Sequence, residues 1–233
     1  GFSLYTFDSD GIDQINCVSE NCINNWPPLV ADQGVRTKGK FSIIDHGEYY
    51  QWAYNGIALY LFAGDSAAGD MLGDGVGDVW HLATTAPASF RTNDAGTLLT
   101  ATGKTNVLAE DSEGSGNFVA KQSAQDQFTL YSFDNDGNNI SNCSGDCAVN
   151  WPPFLAEDGD SAVNNFAIFT RDDGHRQWSY MGSPLYFFIG DTDKAQANGD
   201  GVGGVWHLIE PMVATQFMVE SNTLGEALTV SGM

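Results

Sequence analysis

Basic side chains are scarce in this sequence. Nine Lys and Arg stand against 30 Asp and Glu, for a formal net charge of −21. That balance excludes nucleic acid and anionic lipid as partners, because binding either takes cationic groups that displace counterions. It suits cations, basic partners and a salty medium instead. Long apolar runs are also missing: no stretch approaches the roughly 18 residues that span a bilayer. No basic-then-apolar leader opens the sequence, so it reads as a mature form, and export has to be argued from other features. Helical periodicity is rarely sustained, and only four cysteines occur. What is present suffices for a packed core: 42% of the 233 residues are hydrophobic and 12% aromatic. That is room for one large domain or for two modules of common size.

The sequence repeats itself. Phe2-Ser-Leu-Tyr-Thr-Phe-Asp-Ser-Asp-Gly11 returns as Phe128-Thr-Leu-Tyr-Ser-Phe-Asp-Asn-Asp-Gly137, 126 positions later. Asn25-Trp26-Pro27-Pro28 returns at Asn150-Trp151-Pro152-Pro153, and Gln51-Trp52-Ala53-Tyr54 at Gln177-Trp178-Ser179-Tyr180. Val79-Trp80-His81-Leu82 returns at Val205-Trp206-His207-Leu208. Order is kept and indels are single residues, which chance does not produce. Each copy also carries two Tyr-x-Phe-x-x-Asp elements, starting at Tyr5 and Tyr60 and at Tyr131 and Tyr186. Tyr and Phe at i and i+2 share one face of a strand, and the Asp falls among turn formers. Leu99-Thr100-Ala101-Thr102-Gly103 is echoed by Leu228-Thr229-Val230-Ser231-Gly232, so the parent protein is expected to continue into further units.

Strand signals dominate, at Phe41–Ile44, Tyr49–Tyr54, Leu59–Phe62 and Val79–Leu82 and at their partners in the second copy. Asn55-Gly56 suits a type I′ hairpin turn, whereas Met181 is a poor residue for the matching place before Gly182. Cys22–Trp26 and Cys147–Trp151 suit one turn of helix stopped by the double proline. The expected fold is all-β, with two tandem modules at 1–108 and 128–233, each a small sandwich or barrel. Residues 109–127, rich in Ser, Gly, Asp and Gln, read as a linker or long loop. A four-bladed propeller-like arrangement is the alternative, although the element spacings of 55, 71 and 55 favour two units.

Taken together, the Tyr-x-Phe-x-x-Asp elements, the paired cysteines before Trp-Pro-Pro, the Gln-Trp-x-Tyr stretch and the Val-Trp-His-Leu ending resemble the bacterial secreted-repeat lipoprotein family. About 80 residues in each copy carry the likeness. The resemblance implies export to the periplasm, cell surface or medium, tandem repetition and often a lipid anchor in the full-length parent; it implies no mechanism. In an exported protein, Cys17 with Cys22 and Cys143 with Cys147 are expected as local disulfides. A thiolate metal site would need further ligands close by.

Two acidic loop types are candidate cation sites. The first holds Asp8 and Asp10, matched by Asp134 and Asp136. The second runs from Asp65 to Asp74, matched by Asp191 to Asp200. Carboxylates beside flexible glycines are how hard cations such as calcium are held, although the EF-hand spacing is not met. The competing reading is that Asp and Gly are simply turn residues. His81 and His207 recur after Trp and are the alternative metal or haem ligands. Trp26, Trp80, Trp151 and Trp206 are expected in the cores, and Trp52 and Trp178 are the candidates for a glycan platform.

Gly64-Asp65-Ser66 resembles a hydrolase nucleophile stretch, but the Gly-x-Ser-x-Gly elbow, the phosphate loop and the His-Glu-x-x-His helix are all absent from the sequence. The sequence therefore points to a non-catalytic extracellular module. The first expectation is cation binding, with calcium as cofactor, for structure or adhesion. The alternatives are metal or haem handling at a periplasmic or cell-surface location, and glycan binding. The expected partners are cations or an extracellular partner.

Overall fold

The computed structural model describes residues 1–110, 118–123, 126–211, 216–222 and 225–231. The first module holds β1 (Tyr5–Phe7), α1 (Glu20–Asn25), β2 (Val30–Ala31), β3 (Phe41–Asp45), β4 (Tyr50–Tyr54), β5 (Ile57–Ala58) and β6 (Trp80–Leu82). Four further strands follow: β7 (Ala88–Asn93), β8 (Gly96–Ala101), β9 (Thr105–Glu110) and β10 (Phe118–Ser123). The second module repeats the plan with β11 (Tyr131–Phe133), α2 (Asp146–Asn150), β12 (Phe154–Leu155), β13 (Phe166–Thr170), β14 (Arg176–Tyr180), β15 (Ser183–Pro184) and β16 (Trp206–Leu208). After it come β17 (Gln216–Asn222) and β18 (Gly225–Ser231).

The fold is all-β with repeated modules. In each module a two-stranded ribbon, β1–β6 or β11–β16, lies beside a meander, β2-β4-β3 with β5 or β12-β14-β13 with β15. In the first module ribbon and meander share one core, where Tyr5 and Trp80 pack with Ile44, Ala53 and Ala58; in the second the ribbon packs with Trp151 and Tyr186, and the meander's Phe154, Phe166 and Trp178 form a separate cluster. The sheets have two, four or six strands, and no closed barrel or set of equal blades forms among the described residues.

Local chemistry explains the elements. Trp52 and Tyr54 alternate with buried Gln51 and Ala53 along β4, so each face of the strand has its own packing partner. Both two-residue turns after this strand are left-handed throughout, with φ of 51° and 83° at Asn55-Gly56 and 50° and 88° at Met181-Gly182. Met181 thus adopts the strained conformation that its side chain disfavours, and the surrounding ladder holds it there. Leu59–Phe62 does not form a ladder: Tyr60 makes single bridges to Tyr5 and Pro28 instead. Part of the interval read as a linker is strand, since β10 pairs along its length with β9, and β9 joins β12 of the second module. Asp126 and Gln127 form a turn into the second module, and 111–117 and 124–125 lie outside the described residues.

The short helices come from the cysteines and prolines. Ser19 Oγ caps α1 by accepting from the Cys22 N–H at 3.2 Å, and the double proline prevents continuation. Cys17–Cys22 and Cys143–Cys147 are disulfides. Each closes only a short loop, so replacing Cys143 and Cys147 by Ser should cost about 2 kcal/mol. A urea titration should show this shift with an unchanged slope.

The junction between the modules is packed. Ala88, Leu99 and Ala101 of the β7–β8 hairpin lie in one core with Leu130, Phe154, Phe166 and Trp178. That hairpin therefore sits on the meander face of the second module that points away from its own ribbon.

Candidate functional site

The Tyr-x-Phe-x-x-Asp elements form the best-built polar site in each module. In all four, the Asp N–H donates to the carbonyl of the Phe three residues earlier, at 2.9 to 3.1 Å, which closes a turn. The rings and the carboxylates then cross over between elements. Tyr5 donates its hydroxyl to Asp65 Oδ2 at 2.7 Å, and Tyr60 donates to Asp10 Oδ2 at 2.7 Å. The second module repeats the exchange, Tyr131 to Asp191 at 2.6 Å and Tyr186 to Asp136 at 2.7 Å. The tyrosine of each element thus satisfies the carboxylate of the other.

The remaining oxygens are also occupied. Asp10 Oδ1 accepts from Asn16 N–H and Asp136 Oδ1 from Asn142 N–H, both at 2.7 Å. Asp65 Oδ1 accepts from Leu72 N–H and Asp191 Oδ1 from Asn198 N–H, both at 3.0 Å. Gly73 and Gly199 let the backbone pass beside the phenols and donate to Tyr5 and Tyr131; a Cβ at Gly73 would lie 2.8 Å from the Trp26 ring. Burial pushes the Asp10 carboxyl up to about 6, against the opposing pull of the Asn16 N–H and the Tyr60 hydroxyl. Burial raises Asp136 and Asp191 as well.

Around each clamp stands a column of aromatic rings. Phe7 stacks on Trp80 at 4.3 Å, Trp80 on Trp26 at 3.9 Å, and Trp26 on Phe62 at 4.4 Å. Phe133, Trp206, Trp151 and Phe188 repeat this at 4.3, 3.8 and 4.3 Å. The four tryptophans expected in the cores lie there.

The other candidate residues divide as follows. Asp74 and Asp200 each accept a backbone N–H through Oδ1, from Leu82 at 3.0 Å and Leu208 at 3.2 Å. Asp8 and Asp134 lie 3.1 Å from His81 and His207, Oδ2 to Nε2. Asp8 is also at the junction: its carbonyl accepts from Lys194 Nζ at 2.6 Å, and Arg91 approaches its carboxylate at 3.6 Å. Trp178 is buried in the shared core, so it presents no face to a sugar, whereas Trp52 is half-buried. Among the described residues, no three or more His, Cys, Asp or Glu side chains gather as a metal set.

Asp70 is informative because it does not repeat. Its Oδ2 accepts from the N–H groups of Ala67 and Ser66, which hold its carboxyl below the usual range. In the second module Gln196 Oε1 takes the matching role, accepting from Thr192 N–H at 2.8 Å. An amide does the same work, so this loop needs an acceptor and not a charge.

Gln51 and Gln177 stand out in the sequence only as part of the repeat, yet both are fully buried and donate to Leu59 O and Leu185 O at 2.9 and 2.8 Å. In the second module Arg171 adds a bond to Gln177 Oε1 at 2.6 Å. A polar residue held between aromatic positions of a strand is the signal that could have flagged them.

Fold and site together define a disulfide-clipped, tandem-repeat β-protein whose motif residues clamp two halves of each module. The family model described as a secreted repeat of unknown function matches residues 47–84, 120–154 and 167–210, just over half of the chain, and the chain belongs to that family. No curated protein and no solved structure matches it. No helix among the described residues is long and apolar enough to cross a membrane.

Proposed function

We propose that this chain is a non-catalytic structural module of the extracellular space, in which the repeated carboxylates and phenols hold the fold together. The reciprocal Tyr–Asp exchange carries the reading. It gives Oδ2 of Asp10, Asp65, Asp136 and Asp191 a phenol donor while a backbone N–H serves Oδ1, in both copies alike. A buried carboxylate whose two oxygens already accept protein donors has its charge compensated from within the fold and does not depend on a cation for it. The His–Asp pairs at His81 and His207 read as cross-strand ties of the same kind.

Calcium binding for structure or adhesion is the second reading, and one observation favours it. Asp74 and Asp200 take a backbone donor on one oxygen only, among the described residues, and stand beside the left-handed glycines Gly75 and Gly201. A thermal melt with calcium and then with excess chelator, at fixed ionic strength, separates the two. An unchanged midpoint is expected for internal clamps. A rise that chelator reverses and Asp74→Ala removes would replace this reading with the ion site, because a ligand of the native state must raise the midpoint by mass action.

A further inference from the structure

The two modules carry the same apolar meander face, and the described structure covers only one of them. In the second module Phe154, Phe166, Trp178 and Tyr180 are buried under the β7–β8 hairpin, with Phe90 edge-on to Tyr180 at 5.7 Å. Their counterparts in the first module are Leu29, Phe41, Trp52 and Tyr54. Phe41 is 45% exposed where Phe166 is 6% exposed, and Leu29, Trp52 and Tyr54 are half-buried.

The strand edge tells the same story. In the second module β8 pairs with the chain entering β11: Leu130 N–H donates to Leu99 O at 2.8 Å, and Ala101 N–H to Phe128 O at 3.0 Å. In the first module the matching groups are the Leu4 N–H and the Phe2 carbonyl. Neither has a backbone partner among the described residues, and Phe2 is 56% exposed. An open edge beside an apolar face is a ready receptor for an added strand.

The chain also holds a hairpin of the right kind. In β7–β8, Ala88 faces Ala101 and Phe90 faces Leu99. In β17–β18, Phe217 faces Val230 and Val219 faces Leu228, so apolar pairs occupy the same register positions. Leu228-Thr229-Val230 repeats Leu99-Thr100-Ala101. Among the described residues β17 and β18 pair only with each other.

We propose that the β17–β18 hairpin of one copy docks on the Phe2–Leu4 edge and the Phe41/Trp52/Tyr54 face of a second copy, as β7–β8 docks within the chain. The contact joins unlike surfaces, so copies add head to tail. This deepens the structural-module reading, and its readout is independent of the calcium melt: association is measured by mass, ion binding by midpoint.

Sedimentation velocity of the full chain over a wide range of concentration tests it. The average mass should climb past that of a dimer as concentration rises. Phe41→Glu spoils the receptor and Val230→Asp spoils the hairpin, so each variant alone should stay at 25.0 kDa. Mixed together, one supplies an intact hairpin and the other an intact face, and the mass should stop at twice that value. Phe2→Asp serves as the receptor variant should Phe41→Glu alter the circular dichroism. A full chain that stays monomeric throughout, or assemblies that persist in the single variants, would overturn the proposal.

Discussion

Tyr60→Phe should lower the unfolding free energy by about 2–3 kcal/mol near neutral pH and by only about 1 kcal/mol near pH 4. The substitution keeps the ring, which stands edge-on to Trp80 at 5.2 Å, and removes only the hydroxyl that donates to Asp10. Near neutral pH the loss leaves one oxygen of a buried, ionised carboxylate without its donor. Near pH 4 the carboxyl is protonated and loses a neutral bond instead. The sign of the pH dependence follows from the raised value at Asp10, about 6, against an unfolded value near 3.9. Between these values the folded state binds more protons than the unfolded state. Stability from this group is therefore fully present below the unfolded value and is lost as pH rises through about 6, an effect of at most about 3 kcal/mol. Asp136 and Asp191 act in the same direction. Asp10→Asn keeps a partner for the Tyr60 hydroxyl and should flatten that part of the slope. Urea titrations of the two single variants and the double variant at both pH values give the coupling directly. Additive losses near neutral pH would show that Tyr60 and Asp10 do not act as a pair.

Trp80→Ala should cost more, about 3–5 kcal/mol. Trp80 lies between Phe7 and Trp26 in the ring column, so its removal opens the column in the middle and strips both neighbours of a stacking partner. The loss should unfold the first module at a lower temperature while the Trp151–Trp206 stack persists. Near-ultraviolet circular dichroism reads this as loss of about half the signal of the stacked indoles. The same result from Trp206→Ala, with the first column intact, would establish that each column acts on its own module. Loss of the whole signal in either variant would show one cooperative core instead.

Much of this architecture was legible because repetition carries its own evidence. Two copies of Trp-Pro-Pro and of Val-Trp-His-Leu place the four tryptophans in the cores, though not their stacking with Phe7, Phe62, Phe133 and Phe188, and the paired cysteines identify the clipped helices. The all-β class followed from alternation at Tyr49–Tyr54 and Phe41–Ile44. The crossed clamp was not legible, because each Asp was read within its own loop. Its tyrosine partner comes from the other element, 50 or 60 residues away. A buried phenol and a buried carboxylate both require partners, and two such elements per copy are the clue that could have joined them. The strand at Phe118–Ser123 was hidden by the polar residues around it. The unequal covering of the two meander faces could not be read at all, since the residues on both faces are nearly the same and only the path of β7–β8 distinguishes them.

The seat of the β7–β8 hairpin moves the cooperative unit away from the sequence repeat. A fragment beginning at Phe128 would expose Phe154, Phe166 and Trp178, whereas one beginning just before Ala88 would carry its own cover. Stability then has a nearest-neighbour component: opening the first module's hairpin removes part of the second module's core, as in a one-dimensional array of coupled repeats. Pulling force on one module therefore reaches the hairpin-covered core of the next through the strand pairing of Leu99 and Ala101 with Phe128 and Leu130, while the second ring column lies in a separate cluster.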